Sequence, residues 1–236
     1  MQAADGLNNK ALNKPAVNNS KHRKLLQTDD GSYTLWVEDV NETYHSRHGA
    51  EQESLHVFIS NGLDAIKKIE ISILEVGLGS GLNVLLTLEK GKDRKIFYTA
   101  LEPFPLNDVL VEQLCVVQAN EDRCAVMKGI HTSFFGQVVE LKDNFRFVKQ
   151  SSGIEAFCSN EHFDLIYFDA FAPSFEPHLW TQSVMRRCFD LLNAGGIWVS
   201  YCAKGEVRRN LIAAGFQVER LPGPPGKREM LRAWKK

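Results

Sequence analysis

Several things are missing from this sequence, and each absence removes a class of protein. No stretch approaches the ~18 consecutive apolar residues of a membrane-crossing helix, and the N-terminus lacks the apolar core of a secretory signal, so a cytoplasmic protein is expected. Cys115, Cys124, Cys158, Cys188 and Cys202 contain no Cys-x-x-Cys pair, and an odd number suits neither a disulfide framework nor a zinc ribbon. They read as buried thiols. Net charge is almost absent, at −1 over 236 residues, which argues against an indiscriminate nucleic-acid binder. That balance hides an uneven distribution: residues 1–24 carry five Lys/Arg against Asp5 alone, and Lys204–Lys236 carry nine against Glu206, Glu219 and Glu229. The ends are basic and the middle is acidic, either as solvated surface charge or as a rim for phosphate.

A chain of 236 residues with 44% hydrophobic content can bury one substantial core, and α/β folds of this size commonly remain one domain. Residues 1–24, rich in Asn, Lys and Ala, read as a mobile tail ahead of a folded domain over 25–236. A turn at Thr28-Asp-Asp-Gly-Ser precedes Tyr33–Val37, which suggests a strand in a small N-terminal hairpin, and residues 50–66 read as helical. Beyond Ile69, short apolar runs alternate with longer amphipathic ones, the pattern of β-α units around a parallel sheet. The expected strands are Ile71–Val76, Ile96–Leu101, Phe145–Val148, Phe163–Phe168, Gly196–Ser200, Phe216–Leu221 and Glu229–Trp234. Helices are expected at Leu82–Leu88, Leu106–Gln118, Thr181–Leu191 and Glu206–Ala214. Pro222-Gly-Pro-Pro-Gly226 is too short for a crossover helix, so the last two strands should pair antiparallel. This seven-stranded, mostly parallel Rossmann-like layout with an antiparallel last strand resembles the class I methyltransferases.

Gly77-x-Gly79-x-Gly81 follows the first of these strands and opens a helix, where glycines supply a tight turn and bring backbone N–H groups close to a ligand. A dinucleotide loop wants Gly-x-Gly-x-x-Gly, but residue 82 is Leu, and the Lys-Ser/Thr of a P-loop is absent. A merely compact turn is the plainer alternative. Glu102 ends the second strand about 20 residues past the loop, where a carboxylate can accept both ribose hydroxyls, and the pair of features points to S-adenosylmethionine. Glu75, inside the loop motif, could accept from the cofactor's ammonium, orient the loop, or form a salt bridge. Where many such enzymes carry an Asp to read adenine, the third strand is followed by Ser151-Ser152.

Phe163–Phe168 delivers Asp169 to a strand's carboxyl end, where open α/β sheets place ligands. In the following Ala-Phe-Ala-Pro, Phe171 offers an aromatic wall and Pro173 removes a backbone donor, so the turn suits a flat substrate; a simple turn cap is the alternative for Asp169. An amine acceptor must lose a proton before its lone pair can take a methyl group. Asp169 is therefore expected to orient the amine by hydrogen bonding, with proton loss through water.

Leu74–Asn83, Leu101-Glu-Pro103-Phe-Pro-Leu106, Asp169–Pro173 with Leu179-Trp180-Thr181, and Gly226-Lys-Arg-Glu-Met-Leu231 lie in one order over roughly 28–234. Together they resemble the bacterial tRNA wobble-uridine methyltransferases that make 5-methylaminomethyl(-2-thio)uridine. The resemblance implies methyl transfer from S-adenosylmethionine to the exocyclic amine of 5-aminomethyl(-2-thio)uridine in tRNA, with Asp169 beside that amine. It implies cofactor contacts from Glu75, Gly77, Gly79, Gly81, Leu82, Asn83, Glu102 and Pro103, and substrate contacts from Phe171, Pro173, Trp180, Lys227 and Arg228. Lys227 and Arg228 could meet tRNA phosphate or the cofactor's carboxylate, Arg208 and Arg209 could do likewise, and Trp180 could stack on a base or belong to the core. In many bacteria such a domain is fused to a flavin-dependent oxidoreductase; this chain resembles the standalone form, so FAD is not expected. His45, His48, Glu51 and Glu53 match no closed set of ligands, so no metal is expected either.

Two rivals remain. An aminopropyl transferase, or another small-amine enzyme, shares the glycine loop, but its polycationic substrates want several carboxylates, and the basic C-terminus favours an anionic RNA. A non-catalytic RNA-binding protein on the same fold is the other, against which the intact glycine loop and Asp169 argue.

Overall fold

In the computed structural model, which describes residues 22–236, the apolar runs assemble into one twisted sheet. Its parallel centre consists of β4 (Glu70–Val76), β5 (Lys95–Leu101), β7 (Phe145–Gln150), β8 (Phe163–Phe168) and the far half of β9 (Leu192–Ser200). All six residues of β8 are buried, as expected for a strand covered on both faces. Successive side chains alternate between two cores: Ile73 and Tyr167 face one, Leu74 and Phe168 the other. Helices α2 (Leu82–Lys90), α3 (Asp108–Val116) and α4 (Glu121–Thr132) cover the first core, α5 (Gln182–Leu191) and α6 (Gly205–Ala213) the second. Asn107, Asn120 and Thr181 cap α3, α4 and α5 by accepting a backbone N–H at the helix start.

The strands β10 (Gln217–Pro222) and β11 (Glu229–Trp234) pair antiparallel through the Gly/Pro loop, as their short connection requires, and β11 also runs antiparallel to β9. The sheet order is β10-β11-β9-β8-β4-β5-β7-β6. It therefore has eight strands rather than the expected seven. The addition, β6 (Val139–Lys142), forms a hairpin with β7 across Asp143-Asn144, with Asn144 in the left-handed region at φ 64°. The sequence pattern predicts neither β6 nor α4 (Glu121–Thr132), because their apolar periodicity is weak: no residue of β6 is buried, and α4 buries only Val126, Met127 and Ile130. None of the described helices is long and apolar enough to cross a membrane.

The N-terminal hairpin is the start of a three-stranded sheet of β1 (Arg23–Gln27), β2 (Tyr33–Val37) and β3 (Glu42–Thr43). Arg23 and Lys24 belong to β1 and not to a tail, whereas residues 1–21 of the expected tail lie outside the described residues. The helical stretch foreseen over 50–66 is divided into α1 (Ala50–Ser54), a π-helical turn over Leu55–Ser60 and a 3-10 turn over Leu63–Ala65. This layer joins the main domain through Arg123, whose guanidinium binds Glu51 on α1 at 3.0 Å and Glu89 on α2 at 2.7 Å.

Candidate active site

A cavity of about 260 Å³ opens at the carboxyl ends of β4, β5 and β8, with walls drawn from the N-terminal layer. The glycine loop forms its floor. Gly77 sits at φ 93°, and a Cβ there would come within 2.8 Å of the Asp169 carbonyl oxygen; Gly79 sits at φ 54°, and a Cβ would meet the Tyr44 ring at 2.9 Å. Only glycine gives this backbone both its curvature and its close approach. Glu102 fastens the loop from the side, its carboxylate accepting N–H bonds from Gly79 and Phe104, both at 2.9 Å. Burial raises the Glu102 pKa, while those two N–H groups, Arg23 and Lys149 oppose the rise.

Asp169 stands beside the loop, its backbone N–H bonded to Val76 O at 3.0 Å. The Asn83 amide donates to both Asp169 Oδ2 at 2.8 Å and Glu75 Oε1 at 2.9 Å, linking the two carboxylates from the first turn of α2. Burial pushes the Asp169 carboxyl up to about 7; Glu53 adds to the rise, and Asn83 and Lys227 oppose it. Glu75 is wholly buried and lies well above the usual carboxylate range, through burial first and the nearby Asp169 and Glu102 after it, with Asn83 opposing. The buried Asn83 Oδ1 has no hydrogen-bond partner among the described residues.

The loop after Asp169 is braced from behind. Trp180 Nε1 donates to Phe171 O at 2.8 Å, and the Tyr201 hydroxyl donates to Ala170 O at 2.9 Å. Phe171 lines the cavity and meets Tyr44 edge-on, with ring centroids 5.0 Å apart. Three further residues come from the N-terminal layer or pair with it. His45 lines the cavity; Glu53, 5% exposed, carries a short ion pair with Lys227; and the Lys227 ammonium lies 3.9 Å from the centroid of the Tyr201 ring.

The cavity thus gathers Gly77, Gly79, Glu102, Pro103, Asp169 and Phe171 from the residues singled out in the sequence. Others lie elsewhere. Gly81 is not in the wall but caps α2 at φ 82°, with Ile130 and His131 too close to admit a side chain without adjustment. The Leu82 side chain turns to a separate depression shared with Tyr33, Leu114 and Met127, because the first turn of α2 directs Asn83, not Leu82, to the cavity side. Trp180 is not a stacking surface: at 3% exposure it packs edge-on against Phe168 and supports the Phe171 carbonyl. Lys227 is already bound to Glu53 and so shapes the pocket, while Arg228 is exposed on the same loop and Pro173 lies outside the cavity lining. Beyond the serines at 151 and 152, Gly153, Ile154 and Glu155 reach the cavity wall.

Comparisons with known proteins bear on the fold that carries this cavity. Residues 134–236 match the family model described as S-adenosyl-L-methionine-dependent methyltransferase. The protein named tRNA 5-methylaminomethyl-2-thiouridine biosynthesis bifunctional protein MnmC of Aromatoleum aromaticum is 29% identical, over 89% of this chain and 35% of its own length. The MnmC of Cupriavidus metallidurans is 30% identical over 87% of this chain and 33% of its own, so the chain spans about a third of the length of these relatives. An uncharacterised protein of Methanocaldococcus jannaschii is 24% identical over 100% of this chain and 66% of its own length. Among solved structures, MNMC2 from Aquifex aeolicus superposes with a TM-score of 0.73 at 24% identity, covering 91% of this chain and 71% of that one, a likeness of fold. The expected resemblance is borne out as a likeness: the chain has a class I S-adenosylmethionine-dependent methyltransferase fold and is similar in sequence to the MnmC proteins, of which it spans about a third.

Proposed function

We propose that this protein transfers a methyl group from S-adenosylmethionine to the exocyclic amine of 5-aminomethyl(-2-thio)uridine at the wobble position of tRNA. The observation that carries this reading is Asp169, a buried carboxylate with a pKa of about 7, set directly beside a cofactor-type glycine loop, its carbonyl packed against Gly77. The residues present fit the cofactor. Gly77 and Gly79 leave a cradle that a Cβ would fill, and Glu102 stands where ribose hydroxyls need an acceptor. When bound, it supplies an electrophilic methyl group on a sulfonium.

The protein's own residues then have a defined task. An alkyl ammonium has no lone pair, so the site must receive a proton before transfer. A carboxyl poised near 7 is far better matched to that than one in the ordinary range near 4. Asn83 holds Asp169 in place, Phe171 and Tyr44 offer aromatic surface to a flat base, and the braced 169–173 turn keeps the acceptor from wandering. Arg228 just before the start of β11, Lys204 just past the carboxyl end of β9 and Arg209 on α6 are exposed, placements that suit phosphate contacts. The test is to supply S-adenosylmethionine with tRNA carrying 5-aminomethyluridine and to look for 5-methylaminomethyluridine by mass spectrometry. No product with that tRNA, together with turnover of putrescine, sinks this reading.

A further inference from the structure

Beside Asp169 the cavity holds a second polar atom that the steps above leave unused. His45, between β3 and α1, lines the cavity and is 7% exposed. Its Nε2 lies 3.8 Å from Asp169 Oδ2, too far for a direct hydrogen bond. Its other ring nitrogen, Nδ1, lies 3.4 Å from Thr34 Oγ1 on β2, and the His45 backbone N–H donates to the same oxygen at 2.9 Å. Thr34 is fully buried, so the ring is held from behind. Burial keeps this imidazole neutral by lowering its pKa to about 4; Lys227 acts in the same direction and Glu53 opposes it. With the ring proton on Nδ1 and shared with Thr34, Nε2 turns a lone pair to the cavity. The Asp169 carboxylate and this Nε2 are then two acceptors, neither able to donate to the other. A nitrogen ~2.9 Å from each fits between them.

Resting on the amine reading above, we infer that His45 Nε2 and Asp169 Oδ2 together hold the two N–H bonds of the substrate's primary amine, and thereby limit the enzyme to one methylation. The count of hydrogens carries the argument. The entering ammonium gives its third proton to the Asp169 carboxylate and from there to water. The neutral primary amine has two N–H bonds and one lone pair; with both N–H bonds on acceptors, the lone pair is turned to the methyl carbon. The nitrogen–carbon bond forms as the carbon–sulfur bond breaks, its electron pair going to sulfur. The resulting secondary ammonium loses one proton by the same route and leaves as an amine with a single N–H. Such an amine satisfies one acceptor only, so its lone pair is no longer aimed and one buried acceptor stays unpaired, which disfavours a second transfer. In this assignment His45 is a catalytic residue and Thr34 a positioning residue that acts through it.

The experiment uses the full chain with two tRNAs, one carrying 5-aminomethyluridine and one carrying 5-methylaminomethyluridine. The unaltered protein is expected to methylate the first and spare the second; no product from the first overturns the amine reading itself, and the role of His45 with it. His45→Leu and the near-isosteric Thr34→Val, which keeps His45 but removes its Nδ1 partner, are each expected to raise the ratio of second to first methylation at least about tenfold, the effect of one hydrogen bond. In the absence of cofactor, the unaltered protein should bind the primary-amine tRNA more tightly than the secondary-amine one, and His45→Leu should lose that preference. If the unaltered protein methylates the first tRNA, but neither the ratio nor the binding preference changes in the variants, the assignment of His45 is overturned and the amine reading stands.

Discussion

The two ends of the cavity are built on different principles. The cofactor end is backbone: Gly77 and Gly79, one flanking carboxylate, and N–H groups fixed by the ends of β4 and β5. The acceptor end is side chain: His45 and Asp169 line it, with Glu53, Tyr201 and Lys227 packed behind them, residues from distant parts of the sequence that meet only after folding. The first can be read from one short motif and tolerates almost no substitution. The second is assembled by tertiary contacts, and its chemistry depends on how deeply each group is buried.

If that division is real, the two ends should fail separately. Asp169→Ala should lower turnover by roughly 10²- to 10⁴-fold, the range of a lost acid–base group, while calorimetry shows S-adenosylmethionine still bound. Collapse of cofactor affinity in a folded Asp169→Ala protein would break the division. Glu102→Ala should do the reverse, weakening cofactor binding roughly 10- to 100-fold through two lost N–H acceptor bonds, with kcat at saturation changed much less.

A gentler probe is pH. The folded-state affinity of Asp169 for its proton is raised, so its protonated form is favoured by folding, and ionising it costs stability as pH climbs from the unfolded value near 4 towards 7. Turnover should therefore rise through about pH 7, where the carboxylate forms. Asp169→Asn, though inactive, should melt a few °C above the unaltered protein at pH 8 and lose that advantage towards pH 4, as thermal scans would show. The smallest effects belong to the supports. Trp180→Phe should cost about 1 kcal/mol in denaturant unfolding, through the lost bond to Phe171 O, and leave the KM for tRNA nearly unchanged. A large rise in KM alone would return Trp180 to the substrate surface.

The same division explains what the sequence disclosed. The strands were legible because buried parallel strands read as unbroken apolar runs, of which Phe163–Phe168 is the plainest case. Gly77, Gly79 and Glu102 were legible because a loop that brings backbone to a ligand has few chemical solutions. His45 and Glu53 were visible only as members of a polar stretch without metal-binding spacing; their use depends on contacts to Asp169 and Lys227, 124 and 174 positions further on. Trp180 and Lys227 were recognised as belonging to the site's motifs, but type and position could not tell that one would be buried against Phe168 and the other consumed by an ion pair. Burial and pairing are properties of the assembled molecule.

The bond between Glu53 and Lys227 also sets an order of events during synthesis. Glu53 leaves the ribosome long before its counter-ion, which lies 174 positions further on. Until β11 is threaded beside β9, the acceptor pocket contains a carboxylate that must stay hydrated or protonated. A prematurely terminated chain could complete its glycine loop and still lack a working pocket. Docking of the β10–β11 pair thus couples neutralisation of Glu53 to a contact made late in synthesis.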